Sequence, residues 1–233
     1  MKPKKKREFR AERASELRVL AEILEKAQLV SDVQPLHTAA TQCVIDKAPD
    51  DPLWTYDLVG LEFNFEDNLR HTRPKGAELI SVGLDVFLEG ICLDSDSVAD
   101  PFERLAVSIV IDGLSKNGEL LKAAWHLEKH KSAESLFDHP KYHFHCGGKK
   151  IWESEDALQG FGYGSLLLLE SPRLDHKPLD GILAVNFVLA NFAGKAWQAL
   201  KVENPSYNDL IQEAEKRCHL AYTQAALDYL KRR

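Results

Sequence analysis

The middle of the chain alternates between apolar and polar residues over four successive stretches. Every second residue is apolar within 59–65, 80–88, 105–111 and 121–127. A side-chain period of two is that of a β-strand with one buried face, and the dipeptide Asn117-Gly118 is a hairpin signal between two of these strands. We therefore predict a four-stranded antiparallel meander with one polar face. The fourth stretch begins without β-branched residues, so a helix there is the alternative.

Helical patterns flank these stretches on both sides. Residues 10–30 carry leucines at three- and four-residue spacing, and a short second helix is predicted over 35–47. Residues 179–200 are apolar on most sides, which is expected of a buried helix, and Pro205 begins a last helix. The predicted fold class is α+β. It comprises an antiparallel sheet of four to six strands, two helices before it and two long C-terminal helices after it.

The length and composition predict a single domain. A chain of 233 residues with 44% hydrophobic residues can bury one sizeable core. We place that domain at 10–233 and expect residues 1–9 to be a basic flexible tail. Within the domain, the apolar helix over 179–200 is expected to pack across the inner face of the sheet.

Several absences in the sequence point to a cytoplasmic protein. No apolar run is long enough to cross a bilayer, and the N-terminus is charged with no apolar stretch behind it. The four cysteines are far apart in the sequence, without the spacing of a disulfide framework or of a four-cysteine zinc site. We therefore expect reduced thiols, most of them packed as small hydrophobic residues.

The charge is unevenly distributed along the chain. Residues 2–13 contain seven Lys or Arg and two Glu, a net charge of +5, whereas the whole chain carries −6. A basic segment of this kind binds nucleic acid or an acidic partner, or it is a solvated leader that aids solubility. The solvated leader is favoured, because no aromatic or glycine pattern accompanies the basic residues.

The segment from His139 to Gly148 holds three of the nine histidines and is the first place to look for chemistry. If Lys141 to Cys146 is a strand, Tyr142, Phe144 and Cys146 share the apolar face and His143 and His145 share the other. Two imidazoles about 7 Å apart along a strand suit a metal ion. His139 is the remaining candidate site residue in this segment.

The same parity rule places more histidines on the fourth strand. His126, Glu128 and His130 share a face there, opposite Trp125 and Leu127. If this strand pairs with the one at 141–146, four histidines and a glutamate lie within reach of one centre. The prediction is a site for one divalent, zinc-like transition metal formed by His143, His145, His126 and His130, with a water that the metal activates for hydrolysis. Histidines that alternate with aromatic residues on an ordinary half-exposed strand are the plainer interpretation.

The order of elements and two short motifs resemble the ubiquitin-conjugating enzymes. That family has an N-terminal helix, a four-stranded meander, a His-Pro-Asn motif, a catalytic cysteine soon after it, and further helices. This chain has His139-Pro140, then Cys146, then Ser171-Pro172 and C-terminal helices. It departs from the family at Lys141, where an asparagine is expected. The resemblance implies a thioester carrier with Cys146 as the nucleophile, while the predicted apolar face around Cys146 speaks against an accessible thiol.

Three functions are consistent with these patterns. The leading one is an intracellular non-catalytic subunit or adaptor that binds a protein partner or a second copy of itself, because no specific catalytic motif is present. Nucleic acid is a further partner if the basic tail binds it, and no membrane contact is expected. The second function is the metal-dependent hydrolase and the third is the thioester carrier. Whether the protein is an enzyme is therefore left open by the sequence.

Overall fold

The fold combines one antiparallel sheet with helices from both ends of the chain. The computed structural model describes residues 6–45, 48–65, 78–92, 100–129, 141–147 and 174–231. Within them, two N-terminal helices precede a six-stranded antiparallel sheet and further helices follow it. The predicted α+β class is confirmed, and the sheet has the upper number of strands that the sequence predicted.

The sheet is a meander in which each strand pairs with the next one along the chain. The strands are β1 Leu53–Asn64, β2 Glu78–Ile91, β3 Phe102–Leu114, β4 Leu120–Lys129, β5 Tyr142–Cys146 and β6 Leu174–Asp175. The fourth stretch is therefore a strand and not a helix. Its register with β3 is continuous from Leu114/Leu120 to Ala106/Glu128, because the short turn through Gly118, at φ +77°, holds the two strands together.

The helices are shorter and more numerous than the sequence suggests. They are α1 Lys6–Lys26, α2 Gln34–Gln42, α3 Gly181–Val188, α4 Lys195–Glu203, α5 Pro205–Glu215 and α6 Ala221–Lys231. One π-helical turn, Leu189–Ala193, extends α3, and another, Lys216–Leu220, joins α5 to α6. The helix predicted over 179–200 is broken at Gly194, whose φ of +52° is readily adopted only by glycine.

Helix α1 begins at Lys6, inside the segment predicted as a flexible tail. Phe9 is buried and packs edge-on against Trp54, at 5.7 Å between ring centroids. Arg10 is also buried and donates to three backbone carbonyls between Ala48 and Leu53. These contacts account for the earlier start, since burying Phe9 and pairing Arg10 with backbone carbonyls stabilises the first turn.

The helix α3 and its π-helical extension pack on the inner face of the sheet, which carries the alternate apolar residues of the strands. Phe187 of α3 packs on Phe144 of β5 at 5.6 Å between ring centroids, and Phe192 packs on Trp125 of β4 at 6.0 Å. The predicted packing of the apolar C-terminal helix on the sheet is confirmed by these contacts. The opposite side of the sheet is called the outer face below.

A β-bulge in β1 changes which residues face outward. Leu58 pairs with Val86 and Leu61 with Leu84, so Val59 and Gly60 together oppose one residue of β2. The alternation within 59–65 predicts Val59 on the buried face, and this is wrong: its side chain is 59% exposed, while Leu58 is buried. Gly60 supplies the positive φ of +73° that the bulge requires.

Candidate functional site on the outer face of the sheet

Two rows of paired residues cross the outer face. The register of the five strand pairs puts one row across the whole sheet, in the order Asp57, Phe87, Ala106, Glu128, His143 and Asp175. The neighbouring row runs through Asp85, Ser108, His126 and His145. The outer face is therefore polar, as the alternation predicts, and Phe87 is the one large apolar side chain in these two rows.

The half of the outer face on β4 and β5 is a buried histidine cluster. His126 and His145 stack with their rings nearly parallel, at 4.4 Å between centroids and 8° between planes. His143 meets His145 edge-on at 4.6 Å. His143 and His145 are buried, and Nε2 of His126 lies 4.0 Å from a carboxylate oxygen of Glu128. Three of the four predicted metal ligands, together with Glu128, thus lie side by side.

The orientation of these rings bears on the predicted metal site. A metal bound by imidazole lies close to the ring plane, along the lone pair of a nitrogen, so two rings stacked face to face do not converge on one ion. Within the residues that the structure describes, no group of three His, Cys, Asp or Glu side chains is arranged to hold a metal. The fourth predicted ligand, His130, and the candidate His139 lie outside the described residues. Metal binding stays a prediction.

Cys146 differs from its predicted environment. Tyr142 and Phe144 of the same strand do face the helices, and Tyr142 is buried. Cys146 is paired with Trp125 but is exposed, because it is the last residue of β5 and the strand ends there. The prediction that it packs on the core is therefore wrong. The His139-Pro140 and Ser171-Pro172 motifs of the thioester interpretation lie outside the described residues.

The half of the outer face on β1 and β2 is open to solvent and is called the open face. It consists of the exposed residues Asp57, Val59, Gly60, Glu62, Asp85 and Phe87. Val59 and Phe87 are 59% and 36% exposed. A valine and a phenylalanine on the solvent side of a strand carry a hydration cost that burial against another molecule would remove.

The carboxylates of the open face differ from those at its margins. Glu89 lies 3.9 Å from Arg104, and Asp112 lies 3.2 Å from Lys122, so these marginal carboxylates have cationic neighbours. Among the described residues, Asp57, Glu62 and Asp85 take part in no ion pair. Oδ1 of Asp85 accepts a hydrogen bond of 2.7 Å from the backbone N–H of Gly60, which holds the bulge.

Sequence reasoning missed the open face. Phe87 stands at a polar position of an otherwise regular alternation, and that irregularity is the signal that could have found it. The exposure of Val59 had no such signal, because the bulge depends on the pairing of β1 with β2. Asp57 and Asp85 look like ordinary solvated strand residues until the register brings them next to Phe87 and Val59.

A cluster of charged side chains around Asp100 lies where β3, β4 and β5 meet on the inner face. Asp100 receives a hydrogen bond of 2.5 Å from the Tyr142 hydroxyl, and its other oxygen lies 2.5 Å from Lys141 and 3.2 Å from Lys129. Burial alone raises the pKa of Asp100, but hydrogen bonds from Lys141 and Tyr142 and the charge of Lys129 outweigh it, so the pKa is lowered. This group ties three strands together at one end of the sheet.

A buried charge cluster joins the N-terminal and C-terminal helices. Arg217 lies 2.5 Å from Asp180 and 3.2 Å from Glu16, and Arg13 lies 2.6 Å from the other oxygen of Glu16. Asp180 also caps α3 by accepting the N–H of Leu183. Each charge has an opposite partner, which is the arrangement expected of a structural cluster.

Comparison with protein-family models, with curated proteins and with solved structures found no match to the chain. Among the described helices, none combines the length and the hydrophobicity that a membrane span requires.

Proposed function

We propose that the chain is a non-catalytic subunit or adaptor, and that the open face is the surface on which it binds a macromolecular partner. The observation that carries this proposal is the exposure of Val59 and Phe87 on the outer face, opposite the inner face on which Phe187 and Phe192 of the C-terminal helical segment pack. Exposed apolar side chains that are grouped and ringed by polar residues are typical of interaction surfaces.

The edge of the sheet is a poorer docking surface than its face. The outer edge of β1 is occupied at two points, because Ser31 donates its N–H to the carbonyl of Glu62 and the Gln42 side chain accepts the N–H of Asp57. An edge strand blocked in this way does not offer a free ladder to an added strand. Side chains of the face, and not backbone groups of the edge, therefore carry the proposed contact.

The test is site-specific photocrosslinking in an extract of the host. The full chain carries a photoreactive phenylalanine analogue either at position 87 or, as a matched control, at position 202, where Val202 is 83% exposed. The proposal expects one defined adduct from position 87 that an excess of the unlabelled chain removes and that the Phe87→Ser chain does not remove. Equal adducts from positions 87 and 202, or competition by Phe87→Ser as good as by the original chain, would contradict it.

A metal-dependent hydrolase is the second proposal, and the observation in its favour is the buried contact between His126, His143 and His145. Binding one ion there requires the stacked rings to turn. The test is metal content by mass spectrometry of protein purified without a metal-affinity tag. This proposal expects about one equivalent of zinc, lost in the double variant His143→Ala, His145→Ala. No metal after loading and desalting would exclude it.

A further inference from the structure

The open face combines two kinds of side chain in a fixed arrangement. Asp57 is directly opposite Phe87 in the register of β1 and β2, and Val59 follows two positions along β1 on the same face. Val59 and Phe87 are therefore diagonal neighbours on adjacent strands, and such neighbours lie roughly 7–8 Å apart. The apolar pair is therefore placed between carboxylates, with Asp57 on one side and Asp85 and Glu62 on the other.

The carboxylates of the open face are exposed to solvent. Asp57, Glu62 and Asp85 are all exposed, and none of them has an ion pair with another described residue. Asp85 is in addition held in place by its hydrogen bond from Gly60. Three carboxylates around an apolar centre attract a basic partner and repel a polyanion such as nucleic acid or an anionic membrane surface.

From this arrangement we infer that the partner of the open face is a basic, amphipathic protein segment. Its apolar side chains cover Phe87 and Val59, and its Lys or Arg side chains meet Asp57, Glu62 and Asp85. Because of the bulge, Asp57 and Glu62 pair with Phe87 and Gly83, so this stretch spans roughly 14 Å, which matches about nine residues of helix. The inference rests on the proposed function and adds the chemistry of the partner to it.

The experiment uses the purified full chain and defined peptides of about 15 residues, which as a helix are longer than the face. The first peptide is an amphipathic helix of leucine and lysine, the second replaces every lysine with glutamate, and the third replaces every leucine with serine. Binding is measured by fluorescence anisotropy at low and at physiological salt. We expect the leucine–lysine peptide to bind, with an affinity that falls as salt rises, and the other two to bind at least tenfold more weakly.

Matched variants test whether the leucine–lysine peptide binds to the open face or to another surface of the chain. The double variant Asp57→Asn, Glu62→Gln should raise the Kd of the leucine–lysine peptide about fivefold or more, and Phe87→Ser about tenfold. The controls are Glu203→Gln with Asp209→Asn, which removes two exposed carboxylates of the helical side, and Val202→Ser, which removes an exposed apolar side chain there. Circular dichroism of each variant checks that the fold is retained.

The outcomes distinguish this inference from the proposed function. Equal binding of the leucine–lysine and serine–lysine peptides, or equal effects of the two sets of variants, would overturn the basic amphipathic partner. A competed adduct from position 87 with an acidic protein or with nucleic acid would overturn it as well and leave the proposed function standing. The mass of the chain alone in solution is the last check, since a dimer that Phe87→Ser abolishes would place a second copy on the open face and overturn the basic amphipathic partner.

Discussion

The Trp54 side chain packs closely against Gly90 in the core. Trp54 is buried opposite Gly90, and a Cβ at position 90 would lie 2.4 Å from Nε1 of Trp54 and 2.7 Å from the carbonyl oxygen of Pro101. One of these atoms belongs to backbone, so the clash is not relieved by a side-chain rotation alone. The glycine is therefore required by the large ring next to it.

We predict that Gly90→Ala lowers the free energy of unfolding by about 1–3 kcal/mol, the usual range for overpacking. Gly83→Ala in the same strand is the matched control, because a Cβ there meets only the carbonyl oxygen of Val110 at 3.8 Å. Chemical denaturation of both variants measures the difference. A Gly90→Ala chain as stable as Gly83→Ala would contradict this packing.

The four cysteines differ in how their thiols are placed. Cys146 is exposed, whereas Cys43 and Cys218 are buried. Burial raises the pKa of Cys43 to about 12, and burial together with the charge of Asp180 raises that of Cys218. Cys92 is half-buried, and burial raises its pKa as well.

We predict that in the folded chain an aromatic disulfide reagent at pH 8 modifies Cys146 first, Cys92 more slowly, and Cys43 and Cys218 only on unfolding. Cys146→Ser should remove the fast phase and leave the slow one. This measurement also bears on the thioester hypothesis, which requires an accessible Cys146. An unreactive thiol at position 146 in the folded chain would exclude that hypothesis.

At the scale of elements, the group around Asp100 holds the ends of β3, β4 and β5 together. The pKa of Asp100 lies below its ordinary value of 3.8, so the folded chain binds this proton more weakly than the unfolded chain does. The resulting stability is fully present above about pH 3.8 and is lost as the pH falls through the lower pKa of the folded state. Protonation of Asp100 weakens its pairing with Lys141 and Lys129.

We predict that Asp100→Asn lowers the free energy of unfolding by roughly 1–3 kcal/mol at pH 7, and that the deficit shrinks as the pH falls below about 3.8. The exposed Asp57→Asn is the control, with a change of less than about 0.5 kcal/mol at pH 7. Denaturant titrations at a series of pH values measure both. A deficit that is the same at pH 7 and at pH 3 would show that Asp100 acts by packing alone.

Most elements could be predicted from the sequence, because period two and period 3.6 are local properties of the chain. The strand that carries His143 and His145, and its alternation, follow from the same rule. The bulge at Val59 and Gly60 could not be predicted, since it depends on pairing with β2. The helix break at Gly194 could not be predicted either, because an isolated glycine within a helical pattern is often tolerated.

Side-chain orientation limited the prediction of the candidate sites. The alternation predicted that His126, His143 and His145 share a face, and the register of β4 and β5 places them so. Whether their nitrogens converge depends on ring rotations that the sequence does not encode, and in the structure two of the rings stack. The open face was not predicted for a related reason, because the exposure of Val59 and Phe87 depends on how the strands assemble into the sheet.

At the scale of the whole molecule, the two faces of the sheet differ in what they contact. The inner face packs against Phe187 and Phe192 of the C-terminal helical segment, and the outer face is divided into a buried histidine cluster and the open face. Burying the open face under a partner would remove Phe87 and Val59 from water and give Asp57, Glu62 and Asp85 cationic neighbours. We propose that this half of the outer face is the surface on which the chain binds a partner.

Carboxyl-group footprinting measures whether a bound peptide covers the open face. The full chain is labelled with a carbodiimide and an amine, with and without a saturating concentration of the leucine–lysine peptide, and each modified residue is quantified by mass spectrometry. We expect the peptide to lower the labelling of Asp57 and Glu62 at least several-fold and to leave the labelling of exposed Glu203 and Asp209 unchanged. Protection of Glu203 and Asp209 instead, or of none of the four, would contradict the open face as the binding surface.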